Sequence, residues 1–321
     1  MFHTIIVPLV LGFAVFMAGM KLMEMALNRW AGPYLSGVLR RFTATPLHGL
    51  ATGTATTAVL QSSTAVTVLS IGLVNAGLMT FSRTLGIVLG TNIGTCLTTE
   101  LIGLQIGRIA VPLLFAASAA WLLTATAGEM RLLAWSRAEP MLQPVRLLAV
   151  ASAGFALILI GITTMQSIGP AMQSSDMFQW FLTQSKSSIL WGVAAGTLLT
   201  AAVHSSAAVI GIIMGMSAIG AMPLEVSVAV VLGANIGTCF TAVLAAIGSS
   251  KAGRYVALSH VVLNVAGAML FLPLIPLLAN LSAAISDTPA SQIAHAQTIF
   301  NIACSLLALP LCYLPALRLN R

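Results

Sequence analysis

The chain has 321 residues, of which 58% are hydrophobic and only 7% charged, and its formal net charge is +7. Such a chain cannot hide its apolar surface in a water-soluble core, and several apolar runs exceed the roughly 18 residues needed to cross hydrocarbon, so it reads as an integral membrane protein in a lipid bilayer. The basic residues sit in short loops between apolar runs, where they follow a membrane rule rather than mark a nucleic-acid surface, so no DNA- or RNA-binding reading survives.

In chain order, apolar spans are predicted at about 5–24, 84–104, 108–127, 147–169, 225–248, 254–278 and 293–317. The first run has no basic stretch before it and Lys21 after it, the wrong polarity for a cleaved signal, so it is expected to stay as a span. Segments 49–78 and 192–220 are of another kind. Each is about 30 residues long and broken near its middle by Ser-Ser, whereas two complete crossings would need roughly 40. The spacing predicts a re-entrant hairpin of two half-helices, tolerated at that depth only if buried in protein or lining a wet cavity. A short interfacial stretch is expected ahead of each, at 28–42 and 172–186.

The hairpins belong to a repeat. Residues 53–98 align without a gap onto 196–241, with 20 of 46 positions identical, and Gly12, Gly19 and Met23 of the first span match Gly154, Gly161 and Met165. The domains predicted are repeat 1 at 1–127, a cytoplasmic linker at 128–146, repeat 2 at 147–278 and an extra C-terminal span within 279–321. Three crossings per unit are an odd number, so the second copy is expected to be inverted. The fold class predicted is an all-α membrane protein with two inverted-topology repeats, each holding a re-entrant helical hairpin and a broken helix. Under this topology twelve basic residues share one side (Lys21, Arg29, Arg40, Arg41, Arg83, Arg131, Arg137, Arg146, Lys251, Arg254, Arg318 and Arg321), and Arg108 and Lys186 take the other. The positive-inside rule then puts the N-terminus outside and the C-terminus in the cytoplasm, in an inner or plasma membrane.

Both repeats concentrate their identities on two polar breaks: Gln61-Ser62-Ser63 or His204-Ser205-Ser206, and Gly90-Thr91-Asn92-Ile93-Gly94-Thr95 or Gly233-Ala234-Asn235-Ile236-Gly237-Thr238. Hydroxyls between two half-helices suit N-capping, and the half-helix that follows presents free N–H groups and the positive end of its dipole, which is an anion site. The preceding half-helix ends on unpaired carbonyls, a hard-oxygen setting for a small cation such as sodium. In the second break glycines would let the backbone leave the helix while Asn92, Thr95, Asn235 and Thr238 add oxygens; tight helix packing by small residues is the alternative. Glu100, on an apolar span, is either a cation ligand or proton carrier or a carboxylate near the outer interface beside Arg108. Lys21 and Glu24 are expected to pair on a helix end, and the four cysteines to be free thiols.

FMAGMKLMEMAL (16–27), the stretch 46–80, GTNIGT and GANIGTCFTAVLAAIGS (233–249) resemble the type II sodium/phosphate cotransporters, a family marked by a Gln-Ser-Ser-Ser motif in each inverted repeat. The resemblance covers roughly residues 10–275 and only the transmembrane part of those proteins. It implies sodium-coupled uptake of inorganic phosphate, with phosphate held by Gln61, Ser62, Ser63, Thr64, His204, Ser205 and Ser206. Sodium would be held by Gln61, Ser63, Asn92, Thr95, Ser206, Asn235 and Thr238. Sodium is thus the coupling ion, with no other cofactor and no transition-metal site, and a homodimer is compatible. The first motif reads Gln61-Ser62-Ser63-Thr64, but the second, His204-Ser205-Ser206-Ala207, departs from the family at both ends. His204 is either a cavity residue whose protonation favours phosphate and repels sodium, or a structural histidine. Coupling to protons through His204 or Glu100, or phosphate binding without transport, are the competing functions. An enzyme is not expected, because no nucleophile, base and orienting group cluster in the sequence.

Overall fold

A computed structural model describes residues 5–129 and 139–314. Among them all regular elements are helical, in the order α1 (Val7–Phe42), α2 (Pro46–Leu60), α3 (Ser63–Asn75), α4 (Phe81–Gly103), α5 (Ala110–Glu129), α6 (Glu139–Gln166), α7 (Gly169–Gln173), α8 (Asp176–Ser187), α9 (Leu190–Val203), α10 (Ser206–Ala218), α11 (Leu224–Gly237), α12 (Cys239–Ala245), α13 (Lys251–Phe271), α14 (Ile275–Ile285) and α15 (Pro289–Ala308). Seven stretches among the described residues are long and apolar enough to span a bilayer: Val7–Phe42, Phe81–Gly103, Gly107–Thr126, Leu142–Gln166, Leu224–Ala245, Lys251–Ile285 and Pro289–Tyr313. They match the seven predicted spans in order. Of the twelve basic residues assigned to one side, Arg131, Arg137, Arg318 and Arg321 lie outside the described residues, as does the middle of the predicted linker.

Two boundaries differ from expectation. The first span and the interfacial stretch 28–42 form one helix, α1, because Met25, Ala26 and Leu27 between them are good helix formers and Pro33 sits inside the helix without ending it. The second interfacial stretch does stand apart as α7 and α8, the latter with Asp176 in its first turn and Lys186 in its last, the signs its dipole favours. The span predicted at 254–278 extends from Lys251 to Ile285 through a 3-10 turn at Leu272–Leu274, where Pro273 has no N–H to donate.

The chain forms two compact units, and these cut across the repeats. One comprises residues 1–33 and 106–168. Its seam is a crossing of α1 and α6 at glycines: a Cβ on Gly161 would lie 2.6 Å from the carbonyl oxygen of Gly12, and one on Gly154 would lie 2.7 Å from that of Gly19. Gly12 corresponds to Gly154 in the repeat and Gly19 to Gly161, so each glycine meets the counterpart of the other and the two helices run antiparallel. That is the contact a pair of inverted repeats makes around a pseudo-two-fold axis. Lys21 and Glu24 pair at 3.2 Å as expected, on an exposed face where such pairs contribute little. Phe115, Trp121, Leu122 and Leu123 of α5 are exposed, as a lipid-facing helix requires.

The other unit comprises residues 34–105 and 169–321 and contains both hairpins. With 15 and 13 residues, α2 and α3 reach about 20 Å each, short of the roughly 30 Å hydrocarbon core. α9 and α10, of 14 and 13 residues, repeat the pattern. In each copy the first half-helix lies parallel to the span that follows the hairpin, α2 along α4 and α9 along α11. A Cβ on Gly94 would meet Thr57 Cβ at 2.6 Å, and one on Gly237 would meet Thr200 Cβ at 2.6 Å, while Gly90 faces the Leu50 carbonyl and Gly233 that of Val193. Parallel running means that the chain has returned to its starting side between the two helices.

The first copy corrects the reading of the second break. α4 runs without interruption through Gly90–Thr95, whereas in the second copy the helix divides as expected, α11 giving way to α12 at Thr238 with φ −62° and ψ −24°. The seam glycines let two helices touch where lipid supplies no hydrophobic force to press them together. Polar contacts complete the unit. Arg83 caps the end of α1, its Nε donating to the Thr43 carbonyl at 2.7 Å and Nη2 to that of Arg40 at 2.8 Å. α15 is fastened to α4 by Ser305 Oγ, which donates to the Leu89 carbonyl at 3.1 Å, and the free N–H of Leu47 at the start of α2 donates to Tyr313 Oη at 3.2 Å. Cys96, Cys239, Cys304 and Cys312 are free thiols, as expected.

Gly90→Ala and Gly233→Ala should each destabilise the protein by at least about 1–3 kcal/mol through overpacking against backbone. Gly72→Ala, whose Cβ meets nothing within 4 Å, should be neutral or stabilising. Thermal unfolding in detergent checks this, and equal melting temperatures for Gly90→Ala and Gly72→Ala would contradict the seam.

Candidate functional site

The two hairpin breaks are built alike in backbone and cap. α2 ends at Gln61, whose N–H donates to the Thr57 carbonyl at 2.8 Å and whose φ of 55° and ψ of 26° are left-handed. Ser62 follows in extended conformation (φ −144°, ψ 96°), and its Oγ accepts the Ala65 N–H at 3.3 Å to cap α3. In the second copy His204 has φ 57° and ψ 24° with its N–H on the Thr200 carbonyl at 2.8 Å, and Ser205 (φ −148°, ψ 108°) accepts the Ala208 N–H at 3.2 Å. Gly would sit in the left-handed region freely, whereas an L side chain there costs about 1–2 kcal/mol. Of the three non-glycine residues with positive φ among the described residues, two are Gln61 and His204. Strain of this kind collects at binding sites, where the surroundings hold it in place.

The side chains of the two breaks differ. The Gln61 amide is engaged at both ends, Nε2 donating to the Ala58 carbonyl at 2.5 Å and Oε1 accepting from Thr98 Oγ1. His204 is exposed and lies against the Phe240 ring at 5.6 Å. Ser62 and Ser206 are buried, Ser63 and Ser205 half-buried, and Thr64 exposed. In the second motif Asn92 Nδ2 donates to Asn264 Oδ1 at 3.3 Å, and the buried Asn235 donates through Nδ2 to the Val231 carbonyl at 2.9 Å. Thr95 Oγ1 donates to the Thr91 carbonyl at 2.8 Å and Thr238 Oγ1 to that of Asn235 at 2.6 Å. A hydroxyl that spends its proton on its own helix keeps lone pairs for a cation.

A cleft opens at the start of α3. It is lined by Ser63, Thr64, Thr67 and Val68 from α3, by Thr238, Thr241 and Ala242 at α12, and by His260 of α13. Of the predicted residues it brings together Ser63, Thr64 and Thr238. Gln61, Ser62, Asn92, Thr95, His204, Ser205, Ser206 and Asn235 are not on its walls. Thr67, Thr241 and His260 escaped the sequence reading. Thr67 stands three residues after Thr64 on the same helix face, and a histidine inside a predicted span was itself a signal, since ionisable groups at that depth are costly unless used. His260 is 4% exposed and Thr67 2%. Neither ring nitrogen of His260, nor Thr67 Oγ1, has a hydrogen-bond partner among the described residues.

Glu100 has partners that the sequence did not suggest. It accepts from Thr298 Oγ1 at 2.5 Å and lies 3.1 Å from His295 Nδ1, both on α15, and is partly exposed. No group of three or more His, Cys, Asp or Glu able to hold a metal ion occurs among the described residues.

Paired re-entrant hairpins with capped breaks, on a bundle of membrane-length helices, define an integral membrane protein of the two-repeat transporter type. A family model described as "Na+/Pi-cotransporter" matches residues 15–167 and again 157–311, and the chain belongs to this phosphate-transporter family. It is 34% identical over 300 residues to "Uncharacterized protein YqeW" of Bacillus subtilis, covering 92% of this chain and 91% of that one. It is 26% identical over 298 residues to the Escherichia coli protein named "Putative inorganic phosphate export protein YjbB", covering 92% of this chain but 52% of YjbB, so it spans about half the length of that relative. A 102-residue stretch, 31% of this chain and 16% of the relative, is 29% identical to "Sodium-dependent phosphate transport protein 2A" of Rattus norvegicus. No solved structure matches.

Replacing the second cap, Ser205→Ala, should cost about 0.5–2 kcal/mol, the usual loss for a serine N-cap. Thermal unfolding beside Ser187→Ala, on an exposed helix end, measures it, and equal melting temperatures would deny the cap an energetic role.

Proposed function

We propose that this protein is a sodium-coupled symporter of inorganic phosphate in an inner or plasma membrane, with the N-terminus outside and the C-terminus in the cytoplasm. Family membership supports phosphate as the cargo. The duplicated break supports the mechanism: each hairpin ends one half-helix on carbonyls and starts the next on free N–H groups, so one tip offers a cation and an anion their preferred poles. Phosphate is held at the tips by Ser62, Ser63, Thr64, Ser205 and Ser206 with Gln61 and His204 beside them. Sodium is held by hydroxyl and amide oxygens of Gln61, Ser63, Asn92, Thr95, Ser206, Asn235 and Thr238, and it offsets the phosphate charge where no lysine or arginine does. No other cofactor takes part. The two repeats exchange access between the faces of the membrane around this site.

The name of YjbB favours export as a second reading of direction. A symporter follows the sum of its gradients, so the same site serves both.

Purified protein in liposomes should move radiolabelled phosphate with an imposed sodium gradient in either direction, and not with potassium. Proton gradients that drive flux without sodium would overturn the coupling. Ser63→Ala and Asn92→Ala should reduce sodium-driven flux at least about tenfold, since each removes an oxygen that lipid cannot replace; unaltered flux in both folded variants removes them from the site.

His204→Gln restores the family amide. It should raise apparent sodium affinity, because the amide supplies a carbonyl oxygen that an imidazole cannot offer a cation. Superimposable sodium profiles for wild type and variant would make His204 a structural residue.

A further inference from the structure

We infer that Asn264, on α13, is a positioning residue for the sodium site: it fixes which end of the Asn92 amide is left to the ion. This rests on the reading of Asn92 as a sodium ligand. It adds a residue outside both repeat motifs that acts on sodium only through Asn92.

Hydrogen-bond polarity leaves one arrangement. An asparagine amide can coordinate a cation through Oδ1 but not through Nδ2, and half a turn about its last bond exchanges the two. A sodium ligand of this type therefore needs its Nδ2 tied elsewhere. Asn264 is 2% exposed, and its own orientation is set by the His260 carbonyl one turn earlier on α13. A carbonyl can only accept, so Asn264 turns Nδ2 toward it, at 2.9 Å. The opposite end, Oδ1, can also only accept, and Asn92 meets it with Nδ2 at 3.3 Å. Asn92 Oδ1 is the end that remains for a cation.

The second copy reaches the same result by another route. Asn235 ties its Nδ2 to the Val231 carbonyl one turn back on its own helix, at 2.9 Å. The matching acceptor for Asn92 is the Val88 carbonyl. That oxygen already takes an N–H of its own helix, and Thr91 Oγ1 donates to it at 2.7 Å, so both lone pairs are used. Thr91 is fully buried, and its repeat counterpart is Ala234, which has no hydroxyl to compete. Where the first copy has given up the device within the helix, a second helix supplies a substitute. Both copies keep Nδ2 bound and spend no Oδ1 in doing so. A purely structural amide would need its polar ends satisfied, not the same end satisfied in both copies.

The test measures the sodium dependence of radiolabelled phosphate uptake by the full-length protein in liposomes, the phosphate dependence at saturating sodium, and thermal unfolding in detergent. Asn264→Leu should raise the sodium concentration for half-maximal uptake roughly fivefold, because one neutral hydrogen bond no longer holds the amide in its binding orientation. The half-saturating phosphate concentration at saturating sodium should not move. Thr91→Ala alone should leave the sodium dependence unchanged. The double variant Thr91→Ala/Asn264→Leu gives Asn92 the acceptor that the second copy uses, and it should recover most of the lost sodium affinity. A merely structural Asn264 would show no such rescue. Should Asn264→Leu fail to fold, Asn264→Ala replaces it in both arms. Wild-type sodium dependence in the folded Asn264 variant overturns the inference, and so does a loss that Thr91→Ala leaves uncorrected. In both cases impaired uptake by Asn92→Ala leaves the symporter reading standing. If Asn92→Ala itself leaves the sodium dependence unaltered, the place of Asn92 in the sodium site fails first and that of Asn264 with it.

Discussion

Hydrocarbon cannot hydrogen-bond, and that constraint governs the design of this protein. A helix broken in mid-membrane exposes carbonyls at one end and N–H groups at the other, each expensive unless protein surrounds them. The glycine seams of α2 with α4 and of α9 with α11 meet this demand by bringing the half-helices into backbone contact with complete spans. Polar anchors finish the task at the ends, with Arg83 on the carbonyls at the end of α1 and Tyr313 on the Leu47 N–H at the start of α2. Take away the seams and the hairpins have no means of staying inside the membrane.

Within that frame the breaks store strain and charge without charged side chains. Gln61 and His204 hold the left-handed position that glycine would occupy at no cost, and Ser62 and Ser205 cap the helices that follow. The site's electrostatics come from helix ends and oriented dipoles. The seams hold these helix ends in place.

The duplicated backbone supports unequal chemistry. Gln61 is locked by Thr98, while its counterpart His204 lies free of the matching Thr241 and rests on Phe240. Thr241 turns instead to the cleft, opposite Thr64 and Thr67. The backbone is duplicated, while the side chains at the two tips have diverged. Divergence between copies is cheapest in side chains that the seam does not use.

Much of this was legible in the residues. The seven spans, the hairpins, their breaks and the duplication follow from hydropathy, from Ser-Ser interruptions too closely spaced for two crossings, and from a gapless internal alignment. Local rules suffice there, because backbone satisfaction in lipid is itself a local requirement. Other features were decided only in three dimensions. Whether Gly90 and Gly94 break a helix or pack one depends on what lies opposite, and α2 lies opposite. Whether the chain parts at its repeat boundary depends on contacts, and α1 pairs with α6 of the other repeat. The convergence of His260 with Ser63, Thr67 and Thr241 comes from segments almost 200 residues apart, and no periodicity or motif brings them together. The sequence determined which groups must be satisfied, and packing decided which partners satisfy them, because a hydrogen bond depends on distances that only the folded chain supplies.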